Sequence, residues 1–246
     1  MFTHFSKFLS VLLQGVLPTV ELTVLGIILC TIMSFVFGLA MLSSNIVVRF
    51  VARVYVEGWR GTSEVVQLFW IYFALPILVG IQFIPLFAGV IVLGLNMGAY
   101  GAEFVRGAVQ SVPKEQYEGC IALSLTPAQR MRRVILPQAI PEMLPPFNNL
   151  FIQLLKATAI VEFINVSEIT YQGENVLRPA FGSPNQVLLI FLMMLVMYLI
   201  LSVLITIGMR FLERSAGRMV GRRPQRNAKG RNRQPKMGDH VMWGGS

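Results

Sequence analysis

The chain has 246 residues, of which 54% are hydrophobic and 13% are charged, and its mean hydropathy is +0.63. Soluble domains carry roughly a quarter charged residues, so this composition excludes an ordinary water-soluble protein. The formal net charge of +9 would suit nucleic-acid binding. The placement of the basic residues explains that charge by membrane topology instead, and no nucleic-acid partner is expected.

The first residues have only part of the pattern of a signal peptide. Lys7 precedes a short apolar patch at residues 8–13, which Gln14 and Gly15 end, and no small-residue cleavage site follows. We therefore expect this segment to be retained as an interfacial helix.

Long uncharged runs predict about five transmembrane helices. A span needs about 20 mainly apolar residues, and residues 22–42 and 187–209 meet this length without a charge. Residues 65–102 are uncharged and are interrupted near Pro76, Gly80, Gln82 and Pro85, which predicts two helices joined by a short turn. Residues 147–161 make a fourth span only with flanking residues. The predicted fold class is an all-α membrane protein.

The Lys and Arg residues concentrate on one side of these spans. Of the 21, three lie between spans one and two, five between spans three and four, and ten after span five, whereas Lys7 and Arg178 lie on the opposite side. Because cytoplasmic loops are enriched in Lys and Arg, we predict an outer N-terminus and a cytoplasmic C-terminus. Residues 1–213 form the transmembrane domain, and residues 214–246 are expected to be a disordered basic tail attracted to anionic headgroups.

The polar segment 106–146 is predicted to contain two short helices on the cytoplasmic side. Pro113 suits the first position of one helix. Thr126 and the proline after it suit the N-cap and first position of the other, which Pro137 and Pro141 are expected to stop. Two interpretations remain open on these grounds: the helices dock against a partner, or they lie on the lipid headgroups.

Particular motifs in this loop resemble a known family. Glu118-Gly119-Cys120-Ile121-Ala122-Leu123-Ser124, followed by Arg-Arg-Val-Ile-Leu-Pro-Gln-Ala at 132–139, resembles the EAA loop of binding-protein-dependent ABC importer permeases. Here Gly119 and Cys120 replace the two alanines of that loop, and Ser124 replaces its glycine. Further similarity is to the polar amino acid branch of that superfamily, which this chain resembles at residues 60–62, 100–106, 111–113, 144–147 and 154–158. Permeases for ectoine and hydroxyectoine are similar at residues 94–103 and 129–138.

The resemblance implies a permease subunit of an ATP-driven importer in a bacterial inner membrane, with a polar amino acid or a small zwitterion such as ectoine as substrate. The implied partners are a cytoplasmic ABC ATPase dimer, a second permease subunit (identical or related), a periplasmic or lipid-anchored solute-binding protein, and membrane lipids. The chain has no Gly-x4-Gly-Lys-Ser/Thr loop. We therefore expect a non-catalytic chain without a cofactor of its own, with ATP and Mg bound by the ATPase.

The resemblance also assigns roles within the loop, because in this family its short helix inserts into a cleft of the ATPase. Glu118 is expected to form a charged contact there, with apolar neighbours packed around it. The residues implied in ATPase coupling are Tyr117, Glu118, Gly119, Ile121, Leu123 and Ser124.

Polar residues within the spans are candidates for the substrate pathway. Asn96, Tyr100 and Glu103 follow one another at helical spacing and share a face of span three. Thr158 and Glu162 repeat a spacing of four in span four. As alternatives, Glu103 pairs with Arg106 and Glu162 marks the outer membrane boundary. Lys156 is interpreted as a structural partner of a helix-end carbonyl.

Other classes of function have less support in the sequence. An ion-coupled secondary transporter is the main alternative, but no internal repeat or pair of interrupted helices supports it. A membrane enzyme lacks a recognisable catalytic set, and a scaffold with a docking loop is disfavoured by the resemblance alone. No metal site is expected, because His4 and His240 are the only histidines.

Overall fold

A computed structural model describes residues 5–80, 82–181 and 183–219, and within them the chain forms helices and no strand. The helices are α1 (Phe5–Ala40), α2 (Ile46–Arg60), α3 (Glu64–Phe69), α4 (Leu75–Val79), α5 (Pro85–Gln110), α6 (Lys114–Ala122), α7 (Pro127–Arg130), α8 (Leu136–Ala157), α9 (Ile169–Tyr171), α10 (Arg178–Ala180) and α11 (Pro184–Met219). Single π-helical turns occupy Trp70–Ala74, Met131–Ile135 and Gln172–Leu177, and a 3₁₀ helix occupies Thr158–Ile164.

Four helical stretches in the described residues are long and apolar enough to cross a membrane: Phe5–Ala40, Pro85–Gln110, Pro127–Ile164 and Pro184–Ala216. A fifth span is possible if α2 and the helix Glu64–Val79, which meet at a bend of 102°, count as one. The prediction of an all-α membrane protein with about five spans is therefore confirmed.

The first helix differs from the sequence-based expectation of a separate interfacial helix. α1 continues without a break through Gln14, Gly15 and Pro18 into the first span. Gly15 is buried because the backbone of Ile169 packs directly on it, and a Cβ at Gly15 would lie 2.6 Å from the Ile169 nitrogen. Tertiary packing therefore overrides the weak local helix propensity of these residues.

The centre of the fold is the contact between α1 and α5, which pack along much of their length. Gly94 and Gly98 allow this approach, since a Cβ at these positions would lie 2.7 Å from Leu29 Cδ2 and 2.8 Å from Met33 Cβ. The small residues Gly94 and Gly98 of α5 thus serve helix packing. Cys30 is buried in the same core.

The turn predicted between spans two and three is confirmed. The helix that precedes it ends at Gly80, whose φ of 75° is the left-handed conformation that glycine adopts readily, and α5 begins at Pro85. α2, by contrast, was not predicted. The side chain of Asn45 caps it by accepting a hydrogen bond from Val47 N at 2.9 Å, and its buried face carries Ala52 and Val56.

The helix after Thr126 corrects a second expectation. Thr126 and Gln129 form a reciprocal capping box, as predicted for an N-terminus. Pro137 and Pro141 do not stop the helix, which runs on through α8 into the fourth span. Pro137 stands in the first turn of α8, where a missing N–H is tolerated. The buried stripe Ala139, Met143, Phe147, Leu150 and Leu154 holds the remainder in place.

The last helix extends beyond the predicted start of the basic tail. α11 continues to Met219, so residues 214–219 are helical rather than disordered. The predicted tail from residue 220 onward, with His240, and the first four residues, with His4, lie outside the described residues.

Candidate substrate cavity and coupling segment

An open cavity of about 610 Å³ lies midway along α5, where it meets the C-terminal end of α8 and the start of α3. Such a volume falls within the range of roughly 300–1,000 Å³ that is typical of small-molecule sites. The cavity is lined by Thr62, Ser63, Glu64, Asn96, Met97, Tyr100, Gln153, Lys156, Ala157 and Ile160.

Glu64 and Lys156 give this cavity one carboxylate and one ammonium group. Lys156 and Gln153 are exposed, and Glu64 is half-buried. Within the residues that the structure describes, neither Glu64 nor Lys156 has a hydrogen-bond or ion-pair partner. Lys156 therefore has no contact with a helix-end carbonyl, contrary to the sequence-based interpretation. Glu64 was missed because it directly precedes the uncharged run that was assigned to span two.

Asn96 lines the cavity, and its hydrogen bonds hold the neighbouring turn between α2 and α3 in place. The side chain is 4% exposed, and its amide nitrogen donates to Trp59 O at 3.1 Å and to Gln67 Oε1 at 2.9 Å. Gln67 in turn donates to Trp59 O at 2.8 Å. These bonds join the turn between α2 and α3 to α5, so that Glu64 is held beside the cavity.

Glu103 does not line the cavity, although sequence spacing placed it on the same face as Asn96 and Tyr100. Its Oε2 accepts hydrogen bonds from Arg106 Nε at 2.8 Å and Arg106 Nη2 at 2.6 Å. Its Oε1 lies 3.8 Å from Arg60 Nη1 on α2. The alternative in which Glu103 pairs with Arg106 is thus the arrangement observed. Tyr100 does line the cavity, and the Arg60 guanidinium carbon lies 5.0 Å from its ring centroid.

Thr158 and Glu162 are not among the residues that line the cavity. Thr158 is buried, and its hydroxyl donates to Leu155 O at 2.7 Å. Glu162 Oε2 is buried and has no hydrogen-bond partner among the described residues. The expected shared face at a spacing of four is absent, because Thr158–Ile164 is a 3₁₀ helix with three residues per turn.

A buried carboxylate that the sequence did not reveal lies after the fourth span. Glu168 is 0% exposed and accepts hydrogen bonds from Thr170 N, Tyr171 N and the Tyr198 hydroxyl, each at 2.8 Å. Burial raises the pKa of this carboxyl group from 4.5 to about 7, although the three hydrogen bonds oppose the shift. The adjacent Ile169 N donates to Thr19 Oγ1 on α1 at 3.2 Å, so this cluster joins α1, α9 and α11.

The segment implied in ATPase coupling has one inward and one outward side. The Tyr117 hydroxyl donates to Val109 O at the end of α5 at 3.1 Å, and Cys120 is buried. Burial raises the pKa of the Tyr117 phenol, and the Arg130 charge partly offsets this. Glu118 and Gly119 are exposed, as are Ile121 (57%) and Leu123 (75%).

Ser124 adopts an unusual backbone conformation at the end of α6. Its φ is 54°, which costs a non-glycine residue about 1–2 kcal/mol. Hydrogen bonds from Ser124 N to Ile121 O at 2.8 Å and from Leu125 N to Cys120 O at 3.0 Å complete a Schellman motif. Glycine would adopt this conformation without that cost.

A chain of long apolar helices around a cavity with charged lining residues is typical of membrane transport proteins. Residues 26–218 match the family model described as binding-protein-dependent transport system inner membrane component, and the chain belongs to this family. It is a multi-pass inner-membrane permease and the non-catalytic subunit of its transporter.

Relatives and a solved structure cover most of the chain. A protein of Sinorhizobium fredii named as a probable amino-acid ABC transporter permease, y4tF, is 41% identical over 88% of this chain and 91% of its own. The glutamine transport system permease GlnP of Escherichia coli is 36% identical over 84% of this chain and 93% of its own. The crystal structure of an amino acid ABC transporter with histidines has a TM-score of 0.77 at 30% identity, covering 87% of this chain and 98% of its own.

Proposed function

We propose that this permease imports a polar amino acid or a comparable small zwitterion through the cavity at Glu64 and Lys156, driven by ATP hydrolysis in a separate subunit. The names of the relatives support an amino acid as substrate. Ectoine and hydroxyectoine remain candidate substrates because of the similarity at residues 94–103 and 129–138.

The charges of the cavity carry this proposal. A zwitterion has one cationic and one anionic group, and the cavity offers one unpaired side chain of each sign. Charged groups at membrane depth are expensive unless they are paired. A substrate that pairs with both Glu64 and Lys156 therefore compensates two charges at once, whereas a purely cationic or anionic solute leaves one of them unpaired.

The open side of the cavity favours an assembly in which a second subunit covers it. Its wall contains the polar groups of Glu64, Gln153 and Lys156, which hydrocarbon would not accept. In the proposed assembly, a second permease, identical or related, covers this side and supplies the other half of the pathway.

In the proposed mechanism the segment from Tyr117 to Ser124 couples this cavity to a cytoplasmic ABC ATPase dimer, which binds ATP and Mg. Exposed Ile121 and Leu123 beside Glu118 offer apolar contact area and a charge to a cleft of the ATPase. The hydrogen bond from Tyr117 to the end of α5 gives movement of the segment a direct route to the cavity wall. A solute-binding protein delivers substrate on the opposite, outer face, where the N-terminus also lies.

Transport by reconstituted vesicles tests this function. We expect vesicles that contain the permease, the ATPase and the binding protein to accumulate labelled glutamine or ectoine with ATP and without an ion gradient. Lys156→Gln and Glu64→Gln should each lower uptake about tenfold through loss of one charge-assisted contact. Lys7→Gln, which makes the same change as Lys156→Gln at an exposed position outside the cavity, should leave uptake unchanged. Uptake that persists without the ATPase and follows an ion gradient would instead support a secondary transporter.

A further inference from the structure

Arg60 stands at the rim of the cavity without belonging to its wall. It is the last residue of α2, two positions before Thr62, which lines the cavity. Its guanidinium carbon lies 5.0 Å from the ring centroid of Tyr100, another lining residue. The guanidinium group is therefore held over one edge of the cavity, nearer than Tyr100 to the end of α5 that leads into α6.

The hydrogen-bonding capacity of Arg60 is largely unused. Arg106 occupies Oε2 of Glu103 with two hydrogen bonds, and its Nη1 also donates to Gln110 Oε1 at 3.1 Å. Arg60 has only the 3.8 Å contact with Glu103 Oε1, which is longer than a hydrogen bond. In the part of the chain that the structure describes, its guanidinium donates no hydrogen bond, and its side chain is 41% exposed.

Tyr100 and Glu103 fix Arg60 in a geometry suited to an anion. The aromatic face attracts the cation from one side, and the Glu103 carboxylate attracts Nη1 from another. The remaining N–H groups of the planar guanidinium are left to form a two-pronged contact with a carboxylate, which a lysine cannot make.

We propose that Arg60 is a specificity-determining residue that binds the carboxylate of the substrate at the rim of the cavity, with Tyr100 and Glu103 as its positioning residues. This inference rests on the proposed function and extends it to one chemical group of the substrate. Arg60 and Lys156 together outnumber Glu64, so the site prefers a solute with a carboxylate over the same solute with that group neutralised.

Two probes that differ only in this group test the inference: L-glutamine and L-glutaminamide, in which a carboxamide replaces the α-carboxylate. Binding is measured by titration calorimetry on the purified complex of permease and ATPase, without the binding protein. Because Lys156 also pairs with the carboxylate in the proposed function, we expect the wild-type complex to bind glutamine at least about tenfold more tightly than glutaminamide. Arg60→Gln should weaken glutamine binding about tenfold, the difference expected for one charge-assisted contact, and leave glutaminamide binding unchanged.

Three further variants separate recognition from structure. Arg53→Gln removes an exposed arginine from the same helix and should change neither affinity. Arg60→Lys keeps the charge without the planar fork and should give an intermediate affinity for glutamine. Glu103→Gln should weaken glutamine less than Arg60→Gln does, because Tyr100 still holds the guanidinium.

Several results would overturn the inference. If Arg60→Gln weakened the binding of both probes equally, the role of Arg60 would be structural. If the preference for glutamine over glutaminamide were unchanged, another group would bind the carboxylate. If vesicle uptake is intact while either result is found, only the role of Arg60 fails. A wild-type complex that binds neither probe and supports no uptake would overturn the proposed function together with this inference.

Discussion

The Glu168 carboxylate accepts a hydrogen bond of 2.8 Å from the hydroxyl of Tyr198. The two residues lie thirty positions apart and join the segment after the fourth span to the last helix. Because Glu168 also accepts hydrogen bonds from the backbone of Thr170 and Tyr171, one buried carboxyl group caps α9 and joins it to α11.

This relationship predicts a pH dependence of stability. Since the folded-state pKa of Glu168 is raised from 4.5 to about 7, the folded protein binds its proton more tightly than the unfolded chain does. Stability should therefore fall as pH rises between these two values, by about 3 kcal/mol at most, and should then level off. Melting temperatures measured from about pH 5 to about pH 8 should show this slope in the wild type and not in Glu168→Gln.

A matched variant tests whether removing any carboxylate changes the pH dependence of stability. Glu115→Gln, at an exposed position of α6, should retain the wild-type slope. Equal slopes in the wild type and Glu168→Gln would show that the buried carboxyl group does not titrate in this range.

Asn96→Asp should destabilise the edge of the cavity without changing side-chain volume. The variant replaces an amide donor by a carboxylate oxygen facing two acceptors, Trp59 O and Gln67 Oε1, which are 3.1 and 2.9 Å from the nitrogen. The expected loss is about 1–3 kcal/mol of unfolding free energy, together with weaker substrate binding. Thermal unfolding of the purified protein measures the first and calorimetry the second. Asn175→Asp makes the same change at an exposed position, and a similar loss there would contradict the explanation.

Ser124→Gly should stabilise the end of α6. Glycine adopts the φ of 54° without the steric penalty of serine, and after its own entropic disadvantage the net gain is about 0.5–1 kcal/mol. Slower amide hydrogen exchange in residues 114–123 would report this gain. Ser124→Ala retains the penalty and serves as the control; equal protection in the two variants would mean that backbone strain is not the cause.

Leu123→Ser should uncouple ATP hydrolysis from transport while leaving the cavity intact. The Leu123 side chain is 75% exposed, and its loss from a docked interface is expected to weaken the contact by about 1–3 kcal/mol. Vesicle uptake should fall about fivefold or more, with unchanged glutamine binding to the permease. Val176→Ser removes an exposed apolar side chain far along the chain from this segment, and uptake should persist. Normal uptake in Leu123→Ser would place the coupling contact elsewhere.

The sequence predicted the helical class and most of the spans because their signals are local. A long uncharged run indicates a transmembrane span, and a capping residue such as Thr126 indicates the start of a helix. The failures at Gly15 and Pro137 have one cause. A residue that weakens an isolated helix is tolerated where neighbouring helices pack on it. Those neighbours are distant in sequence, so local patterns do not indicate them.

The candidate site was only partly predictable for a related reason. Asn96 and Tyr100 were found because an intramembrane polar residue is conspicuous, and both line the cavity. Glu64 was missed because its place in the cavity wall with Lys156 depends on the 102° bend between α2 and the helix that follows, and no local pattern encodes that angle. Glu168 was also missed, since its burial depends on residues of α1 and α11 that lie far away in sequence.

Both cysteines of the chain, Cys30 and Cys120, are buried. Thiol reagents attack accessible thiolates, so the native protein offers them little to modify. A cysteine introduced at an exposed position, such as that of Leu123 or Ile77, would therefore accept a fluorophore or spin label almost alone. Distances between labelled positions could then be measured in the active transporter without first replacing the two native cysteines.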